Sequence, residues 1–411
     1  YNGEQQASAI TPPGKPTHSM QYGDFDSLTL YSPPAISQGF GPTTYEYDLD
    51  RNLQLVNQPG PRQIEITYDT AGRIDEITFP GGLLARAYAP STGQLTVLSG
   101  PYDIDLAFDY DGRLVEDVAW FGPVSGSVGW SYDTDFRIAT ETVNGASAIT
   151  FGYDLDSLLT SAGPITLTRD PQNGRVTDIT SGDVVETMAY SDYGEIESSV
   201  AAYSGTPMLS FAYLRDDLGR ITQKTETLLG VARVFEYAYD PAGRLIEVKE
   251  DGGVIESYGY DANGNRLSSL NASGTFAAAF DDQDRIETYG SLGFTWTLNG
   301  EVATKEDSAT SEVTSYAYDA VGNLIGVTLP SGDEIEYLVD GLGRRVGKKK
   351  NGVLERGWLW RGQLQPVAEL DGTGAVVKRF VYAEGVNVPE LMVTSTATYR
   401  LIKDHLGSVR L

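Results

Sequence analysis

The chain has 411 residues, with 57 Asp and Glu against 30 Lys and Arg, and a formal net charge of −27. This acidity argues against binding to nucleic-acid phosphates and against docking on anionic lipid, because both need basic patches. The sequence contains no cysteine, so disulfides are excluded and redox chemistry does not indicate a compartment. No apolar run reaches the roughly 18 residues that a membrane-spanning helix needs, so we expect no membrane span.

Residues 1–40 begin with Tyr1 rather than methionine and contain no clear repeat, so we treat the sequence as a fragment or a processed piece. Proline cannot donate to a β-ladder, so a proline-rich stretch favours an irregular lead-in, an edge cover or a cap. The prolines of this lead-in are Pro12, Pro13, Pro16, Pro33 and Pro34.

Residues 41–345 repeat a short motif at steps of roughly 20 residues, a period that marks a repeat architecture in which each unit stacks on its neighbours. In the four clear copies, a Tyr-Asp pair is followed three residues later by glycine, and in two of them by arginine next. These copies are Tyr68, Asp69, Gly72 and Arg73; Tyr239, Asp240, Gly243 and Arg244; Tyr260, Asp261 and Gly264; and Tyr318, Asp319 and Gly322. Degraded copies include Phe108-Asp109 with Gly112-Arg113, Tyr132-Asp133 with Arg137-Ile138, Arg215-Asp216 with Gly219-Arg220, Phe280-Asp281 with Arg285-Ile286 and Val339-Asp340 with Gly343-Arg344.

Each residue type in the motif has a physical reason to be there. Aspartate stabilises a turn by accepting hydrogen bonds from backbone N–H groups two residues on. Glycine supplies a positive φ without steric cost, and tyrosine buries its ring while keeping its hydroxyl at the wet rim. Arginine is expected to reach back to the aspartate of its own turn or of a neighbouring one. The motif therefore predicts a polar turn between two strands.

The segment Leu245–Tyr260 shows how one repeat forms one hairpin. Apolar and polar residues alternate on both sides of Asp251-Gly252-Gly253, which is a hairpin signal. About fifteen such units give about thirty strands in an antiparallel meander, with very little helix. Open sheets rarely exceed about ten strands without curling, so we predict an all-β fold in which the meander coils into a hollow spiral.

Residues 346–411 differ in character and are treated as a third segment. Lys348-Lys349-Lys350 is interpreted as a solvated strand and turn. The segment ends with Asp404-His405-Leu406-Gly407-Ser408-Val409-Arg410.

The repeated turns resemble the YD-repeat, or RHS-repeat, family, and the segment from Asp404 to Arg410 looks like the signature near the end of the bacterial RHS core. The resemblance covers about residues 41–411. It implies a large β-spiral shell, which encloses a C-terminal toxin in the bacterial RHS proteins and in the BC component of Tc toxin complexes, and which serves adhesion in animal teneurins. Toxin-releasing relatives cut themselves with aspartates downstream of this signature, in a segment that the sequence does not contain.

Taken together, these features predict a non-enzymatic shell of a secreted or cell-surface bacterial protein, with no cofactor. The expected partner is an enclosed toxin or effector polypeptide, or further shell segments on a separate chain. One alternative is an extracellular adhesion module that binds a glycan or a protein. A second is the shell of a self-cleaving protein whose protease segment lies beyond this chain. The acidic residues are interpreted as a solvated outer surface. A more specific alternative is an acidic lumen that holds a basic cargo.

No catalytic, metal or cofactor site is predicted. The chain has two histidines, His18 and His405, and a lone histidine without partners is a weak catalytic candidate. Asp261, Asn263 and Asn265 alternate like the start of a calcium loop, but its twelfth position would be Ala272 instead of glutamate. The expected role of the motif residues, including Asp404, His405, Gly407 and Arg410, is structural.

Overall fold

The computed structural model describes residues 6–37, 39, 41–60 and 62–411. Within these residues the chain forms 38 β-strands, two short 3-10 helices at Asp24–Asp26 and Pro101–Asp103, and no α-helix. The predicted all-β fold is confirmed. None of the described helices is both long and apolar enough to cross a membrane.

The strands that come before the clear repeats are β1 Ala9–Ile10, β2 His18–Tyr22 and β3 Leu28–Ser32. The strands of the first part of the repeat array are β4 Thr43–Tyr47, β5 Leu53–Gln58, β6 Arg62–Tyr68, β7 Ile74–Phe79, β8 Gly82–Tyr88, β9 Leu95–Ser99, β10 Asp105–Asp111, β11 Leu114–Phe121, β12 Gly126–Tyr132, β13 Ile138–Val143, β14 Ala146–Tyr153, β15 Leu159–Ala162, β16 Ile165–Arg169, β17 Val176–Ser181, β18 Val184–Tyr190 and β19 Ile196–Tyr203.

The array continues with β20 Thr206–Arg215, β21 Ile221–Leu228, β22 Val231–Tyr239, β23 Leu245–Glu250, β24 Gly253–Tyr260, β25 Arg266–Asn271, β26 Gly274–Phe280, β27 Ile286–Tyr289, β28 Leu292–Trp296, β29 Val302–Asp307, β30 Glu312–Tyr318, β31 Leu324–Thr328 and β32 Glu334–Val339. The last strands are β33 Arg345–Lys350, β34 Val353–Arg361, β35 Gln365–Asp371, β36 Val376–Val381, β37 Leu391–Val393 and β38 Thr398–Arg400.

All 38 strands belong to one sheet, and each pairs antiparallel with the strands next to it in sequence. The connectivity is therefore an uninterrupted meander. The sheet continues across residues 41 and 346, where the sequence changes character, through the β3–β4 and β32–β33 pairings. The division of the chain into three segments stays a prediction.

The hairpin at residues 250–253 shows the local cause of the fold. Asp251 and Gly252 have φ of 49° and 84°, and a two-residue turn with positive φ at both positions matches the right-handed twist of the flanking strands. The turn closes β23 onto β24, and Glu250 pairs with Gly253.

The turns of the meander form two rims. We call the rim that carries the Tyr-Asp turns, each leading from an even-numbered strand to the next strand, the YD rim. The opposite rim, where odd-numbered strands lead to even-numbered ones, is called the hairpin rim. In the YD turns, a register shift at the tyrosine lets the chain leave the ladder, as at Thr67 and Tyr68.

The sheet coils until distant parts of the chain meet. Arg62 pairs with Glu301 at 2.6 Å, and the Trp120 indole donates to Asp340, 220 residues further along the chain. Arg410 near the end pairs with Glu226 at 2.6 Å. We call the zone where residues 15–226 contact residues 281–410 the seam.

The largest apolar core lies at the seam and takes residues from both parts of the coil. Trp120 is 1% exposed and Leu359 is fully buried. Members from the earlier strands are Leu98, Ile104, Leu106, Val118, Trp120, Val124, Val128 and Val143, and members from the later strands are Leu338, Val346, Leu359, Val367, Ala368, Leu370 and Tyr382.

Away from the seam the sheet is a thin wall with solvent on both faces. The solvent-accessible surface is 21601 Å², whereas a compact globule of 44.5 kDa would expose about 15,600 Å². In β6, for example, the side chains alternate between half-buried and exposed, with none fully buried. The excess surface is what a hollow spiral produces and a solid core does not.

Candidate functional site: the YD turns, the seam and the C-terminal segment

The YD turn is held by its aspartate. In the turn at Asp69, Oδ1 accepts hydrogen bonds from the backbone N–H of Ala71 at 2.8 Å and of Arg73 at 3.0 Å. Oδ2 accepts from Nε and Nη2 of Arg73 at 2.8 and 2.6 Å. Gly72, at φ 76°, donates its N–H to the Asp69 carbonyl. One carboxylate thus fixes the backbone turn and the following arginine.

The other motif turns repeat this geometry with one substitution. Asp240 binds Arg244 through the backbone N–H and the side chain. In the turns at Asp261 and Asp319, asparagine takes the place of arginine, and its Nδ2 reaches Oδ2 of the aspartate at 2.8 and 2.9 Å. The glycines Gly243, Gly264 and Gly322 all have positive φ, as the turn requires.

The sequence places a degraded copy of the motif at Phe108-Asp109, which is two residues before its position in the structure. Both residues lie inside β10. The tyrosine that acts in this repeat is Tyr110, whose hydroxyl donates to the Leu95 carbonyl at 2.9 Å. The turn here is only two residues long, so it lacks the spacing that identifies the other copies.

Hydrogen bonds from the tyrosines tie the last residue of each hairpin to its first residue, next to the preceding YD turn. Tyr68, Tyr239 and Tyr260 donate their hydroxyls to the carbonyls of Leu53, Ile221 and Leu245 at 2.8, 2.7 and 2.8 Å. These tyrosine hydroxyls are therefore bound to backbone rather than left at a wet rim.

The arginines couple each repeat to the next one. The guanidinium of Arg73 lies 4.1 Å from the ring centroid of Tyr88, and that of Arg244 lies 4.8 Å from the ring of Tyr260. Arg244 also donates to the carbonyl of Asp261. Each arginine therefore binds the aspartate of its own turn and contacts the next repeat.

The charge state of the turn aspartates follows from these contacts. Side-chain and backbone hydrogen bonds from Arg73 lower the pKa of Asp69. The backbone N–H of Arg244 lowers the pKa of Asp240 in the same way. The turns are thus built for ionised carboxylates.

Where the coil closes, YD turns from the later strands are buried under earlier residues. The side chain of Asp340 is fully buried and that of Arg344 is 4% exposed, with the ion pair at 2.7 Å. Trp120 Nε1 donates to Asp340 Oδ2 at 3.2 Å, and the hydroxyl of Tyr102 lies 3.5 Å from Oδ2 of Asp319. The motif turn thus serves as a docking element as well as a corner.

Buried charge pairs hold the C-terminal strands at the seam. Arg379 pairs with Glu141 at 3.1 Å, and Arg400 pairs with Glu186 at 2.6 Å. Burial raises the pKa of Glu186, and the charge of Arg400 opposes that rise. The sequence analysis missed these residues, because nothing local in the sequence marks glutamates that find their partners 214 to 238 residues away.

The segment from Asp404 to Arg410 forms one more turn of the YD type. Asp404 Oδ1 accepts from the backbone N–H of Leu406 and of Ser408 at 3.0 Å each, and Gly407 donates to the Asp404 carbonyl. The turn lies against β20 and β21, where Arg410 binds Glu226.

His405 packs inside this contact. Its Nδ1 lies 3.2 Å from the Tyr213 hydroxyl, and the two rings meet edge to face at 4.7 Å. Burial lowers the pKa of His405, while Asp404 opposes the shift, and burial raises the pKa of Tyr213 to about 12. This pair packs as a neutral histidine against a neutral tyrosine. By contrast, His18 lies near the start of the chain and stacks on Tyr31.

The described residues contain no group of three or more His, Cys, Asp or Glu side chains placed to hold a metal ion. Asp261, the first residue of the calcium-like spacing, has both carboxylate oxygens engaged by Asn263 and Asn265. What the described arrangement provides chemically is a wall of paired backbone with a charge-paired seam.

Curated relatives include a teneurin, a bacterial deaminase toxin and a probable bacterial deoxyribonuclease. The chain is 24% identical over 378 residues to Teneurin-3 of Danio rerio, covering 85% of this chain and 13% of that protein. It is 24% identical over 367 residues to Double-stranded DNA deaminase toxin A of Burkholderia cenocepacia, covering 83% and 24%. It is 27% identical over 269 residues to Probable deoxyribonuclease RhsB of Dickeya dadantii, covering 62% and 18%. The chain thus spans a quarter or less of the length of each of these relatives.

Among solved structures, the crystal structure of TcdB2-TccC3-Cdc42 matches with a TM-score of 0.56 at 13% identity, over 94% of this chain and 27% of that one. This likeness concerns the fold alone. A family model described as Teneurin YD-shell matches residues 1–411, the whole chain. With YD turns at the corners of a coiled antiparallel meander, the chain belongs to the teneurin YD-shell family.

Proposed function

We propose that this chain is a wall segment of a shell that encloses a toxin or effector polypeptide of a secreted bacterial RHS-type protein. The observation that carries the proposal is the coiled single-layer sheet whose seam is sealed by side chains. A wall of this kind separates its contents from proteases outside, because the paired backbone leaves no gap for a protease.

The relatives support this proposal because the region that matches this chain is only a small part of each of them. Two bacterial relatives have toxin or nuclease names, and the chain matches 24% and 18% of their lengths. We infer that the named deaminase and deoxyribonuclease activities reside outside the matched region. The shell itself is then not an enzyme, and any self-cleavage would depend on residues that follow Arg410 in a longer chain.

The proposal is tested by protease protection of the full-length protein that contains this chain. Proteinase K should leave the enclosed polypeptide intact while the seam is closed. A seam variant such as Arg400→Leu should expose it to digestion under the same conditions. If the enclosed polypeptide is digested equally fast in the wild-type protein and the variant, the enclosure proposal is wrong.

A second candidate function is protein binding at the exposed YD rim, as in an adhesion module. Side chains at the tips of the early YD turns are strongly exposed: Leu155 at 104%, Tyr193 at 91% and Leu218 at 77%. A groove between two of these turns is lined by Tyr193, Leu214 and Leu218 together with Glu195 and Asp216. Exposed apolar side chains beside acidic groups are typical of protein contact surfaces.

The two functions can be told apart with a rim variant. Tyr193→Ser combined with Leu218→Ser leaves the seam untouched, so protease protection should be unchanged if the chain only encloses. A loss of cell-surface or glycan-array binding in this variant, with protection intact, would favour the adhesion function.

A further inference from the structure

The charge of the chain is unevenly distributed along its length. The whole chain has 30 Lys and Arg against 57 Asp and Glu. Residues 341–411 contain 12 of those basic residues and only 6 of the acidic ones, a net charge of +6, so residues 1–340 carry −33. The basic surplus is thus confined to the last strands, β33 to β38.

Basic and aromatic side chains of these strands share one face of the sheet. In antiparallel pairs, directly opposite residues point to the same side. Tyr337 lies opposite Lys348, and Lys348 lies opposite Arg356. Trp358 lies opposite Glu369, which in turn lies opposite Lys378.

Trp358 is two residues after Arg356, so the two ladders lie on the same face. The ladder continues two residues beyond Lys378, where Phe380 lies opposite Met392 and Met392 opposite Tyr399. We call this surface the basic-aromatic face.

The cations of the basic-aromatic face remain partly accessible, and Lys348 already pairs with Glu355 at 3.1 Å. Lys348, Arg356 and Lys378 have side chains that are 34%, 49% and 35% exposed. Arg356 and Lys378 both pair with the single carboxylate of Glu369, at 3.3 and 3.1 Å. The guanidinium of Arg345 lies 3.7 Å from the ring centroid of Tyr337.

Two arginines on the same strands, next in sequence to residues of the basic-aromatic face, already bind carboxylates. Arg379, next to Lys378, points the other way and binds Glu141 of an earlier strand. Arg400, next to Tyr399, binds Glu186. On the face opposite the basic-aromatic face, these two arginines of the C-terminal strands therefore already hold glutamate side chains.

We propose that the basic-aromatic face is a docking surface for an acidic, extended polypeptide segment, which it binds through carboxylates paired with Lys348, Arg356 and Lys378 and through stacking on Trp358 and Tyr399. Charge complementarity favours a carboxylate partner, since cations of the same strands select glutamates at the seam. The inference goes beyond enclosure, because it concerns a binding surface that would act whether or not the coil encloses anything.

The test uses the purified 411-residue chain and a fluorescein-labelled peptide of repeating Glu-Ala-Glu-Tyr units, followed by fluorescence anisotropy. Binding should be saturable and should weaken as salt is raised, because exposed charge pairs are screened. Lys348→Glu with Arg356→Glu should weaken it by about tenfold or more. The milder pair Lys348→Gln with Arg356→Gln should weaken it in the same direction, and thermal melting verifies that both variants are folded.

The matched control is Arg233→Glu with Lys249→Glu, which changes the net charge by the same amount on β22 and β23. This control should bind the peptide as the wild-type chain does. Equal weakening in the control would overturn the proposal, since the effect would then be nonspecific charge. Tighter binding of a heparin oligosaccharide or a single-stranded oligonucleotide to this face would also overturn it, because the partner would then be another class of macromolecule.

Discussion

At the scale of single residues, the aspartate of the YD turn combines several functions in one carboxylate. Asp216 accepts hydrogen bonds from the backbone N–H of Leu218 and Arg220 and from Nε of Arg220. Its pKa is lowered, first by the side-chain hydrogen bond from Arg220. A group with a lowered pKa in the folded state stabilises the fold above its unfolded pKa, and that stability is lost as the pH falls through the folded value.

The substitution Asp216→Asn should therefore lower the denaturation midpoint at neutral pH. The difference in midpoint between the variant and the wild-type chain should shrink as the pH falls below 3.8, the ordinary pKa of the carboxyl. Protonation then removes the negative charge that the wild-type aspartate uses to bind Arg220. Guanidinium denaturation at pH 7, 5 and 3 measures this. The neighbouring Asp217, which is exposed, supplies the control: Asp217→Asn should leave the midpoint nearly unchanged at each pH.

A second residue-scale prediction concerns Trp120, whose indole donates to the buried carboxylate of Asp340. Trp120→Phe removes that donor, and a hydrogen bond to a buried charged group is worth about 1.5–3 kcal/mol. We expect a destabilisation of at least about 2 kcal/mol, because the smaller ring also leaves a cavity.

The control for this prediction is Trp360→Phe. Trp360 is only half-buried and donates to a backbone carbonyl, that of Arg345, so its substitution should cost less, about 1 kcal/mol. Chemical denaturation monitored by circular dichroism compares the two. A larger loss for Trp360→Phe would contradict the assignment of Trp120 to the seam.

At the scale of strands and turns, contacts between repeats make neighbouring hairpins interdependent. Tyr260 donates to the carbonyl of Leu245 at the start of its own hairpin and receives over its ring the guanidinium of Arg244 from the preceding YD turn. In repeat arrays, stability is a sum of unit terms and nearest-neighbour terms. Here the arginine, which contacts the ring and backbone of the next turn, contributes to the neighbour term.

Tyr260→Phe keeps the ring and removes only the hydroxyl, so it should cost about 0.5–1.5 kcal/mol, the net value of one hydrogen bond. Tyr203→Phe is the matched control, because Tyr203 is 52% exposed and lies at the end of β19 by the hairpin rim. Hydrogen exchange should show faster opening at residues 245–260 in the first variant only. An equal effect of the two substitutions would mean that the tyrosine hydroxyl does not hold the two ends of its hairpin together.

At the scale of the whole molecule, the seam closes the coil by pairing charges that are far apart in sequence. Glu186 and Arg400 have side chains that are 7% and 5% exposed. Breaking a buried ion pair on one side leaves an uncompensated charge, which costs about 3–5 kcal/mol, whereas replacing both partners with apolar residues is often nearly neutral.

Arg400→Leu should therefore destabilise the docking of the C-terminal strands by about 3–5 kcal/mol. The double variant Glu186→Leu with Arg400→Leu should recover most of that loss. Hydrogen exchange of residues 391–411 and chemical denaturation measure the two effects. If the double variant were as unstable as the single one, the pair would not act as a unit at the seam.

The sequence by itself determined the repeat, the all-β class and the corner chemistry. These are local properties: Asp69, Gly72 and Arg73 lie within a few residues of one another, so their spacing carries the information that a turn needs. The need to coil also followed, because strand twist accumulates along a long meander. The local spacing misplaced the corner at Tyr110, where the turn is shortened to two residues.

Only the tertiary structure decided where the coil closes on itself. Pairs such as Trp120 with Asp340, or Glu186 with Arg400, are separated by 220 and 214 residues, and their meeting depends on the twist accumulated over all the strands between them. The same YD turn is therefore partly exposed at Asp216, whose side chain is 24% exposed, but buried at Asp340, although the motif is alike in both places. The turn is a local property of the sequence, whereas its burial depends on the geometry of the whole sheet.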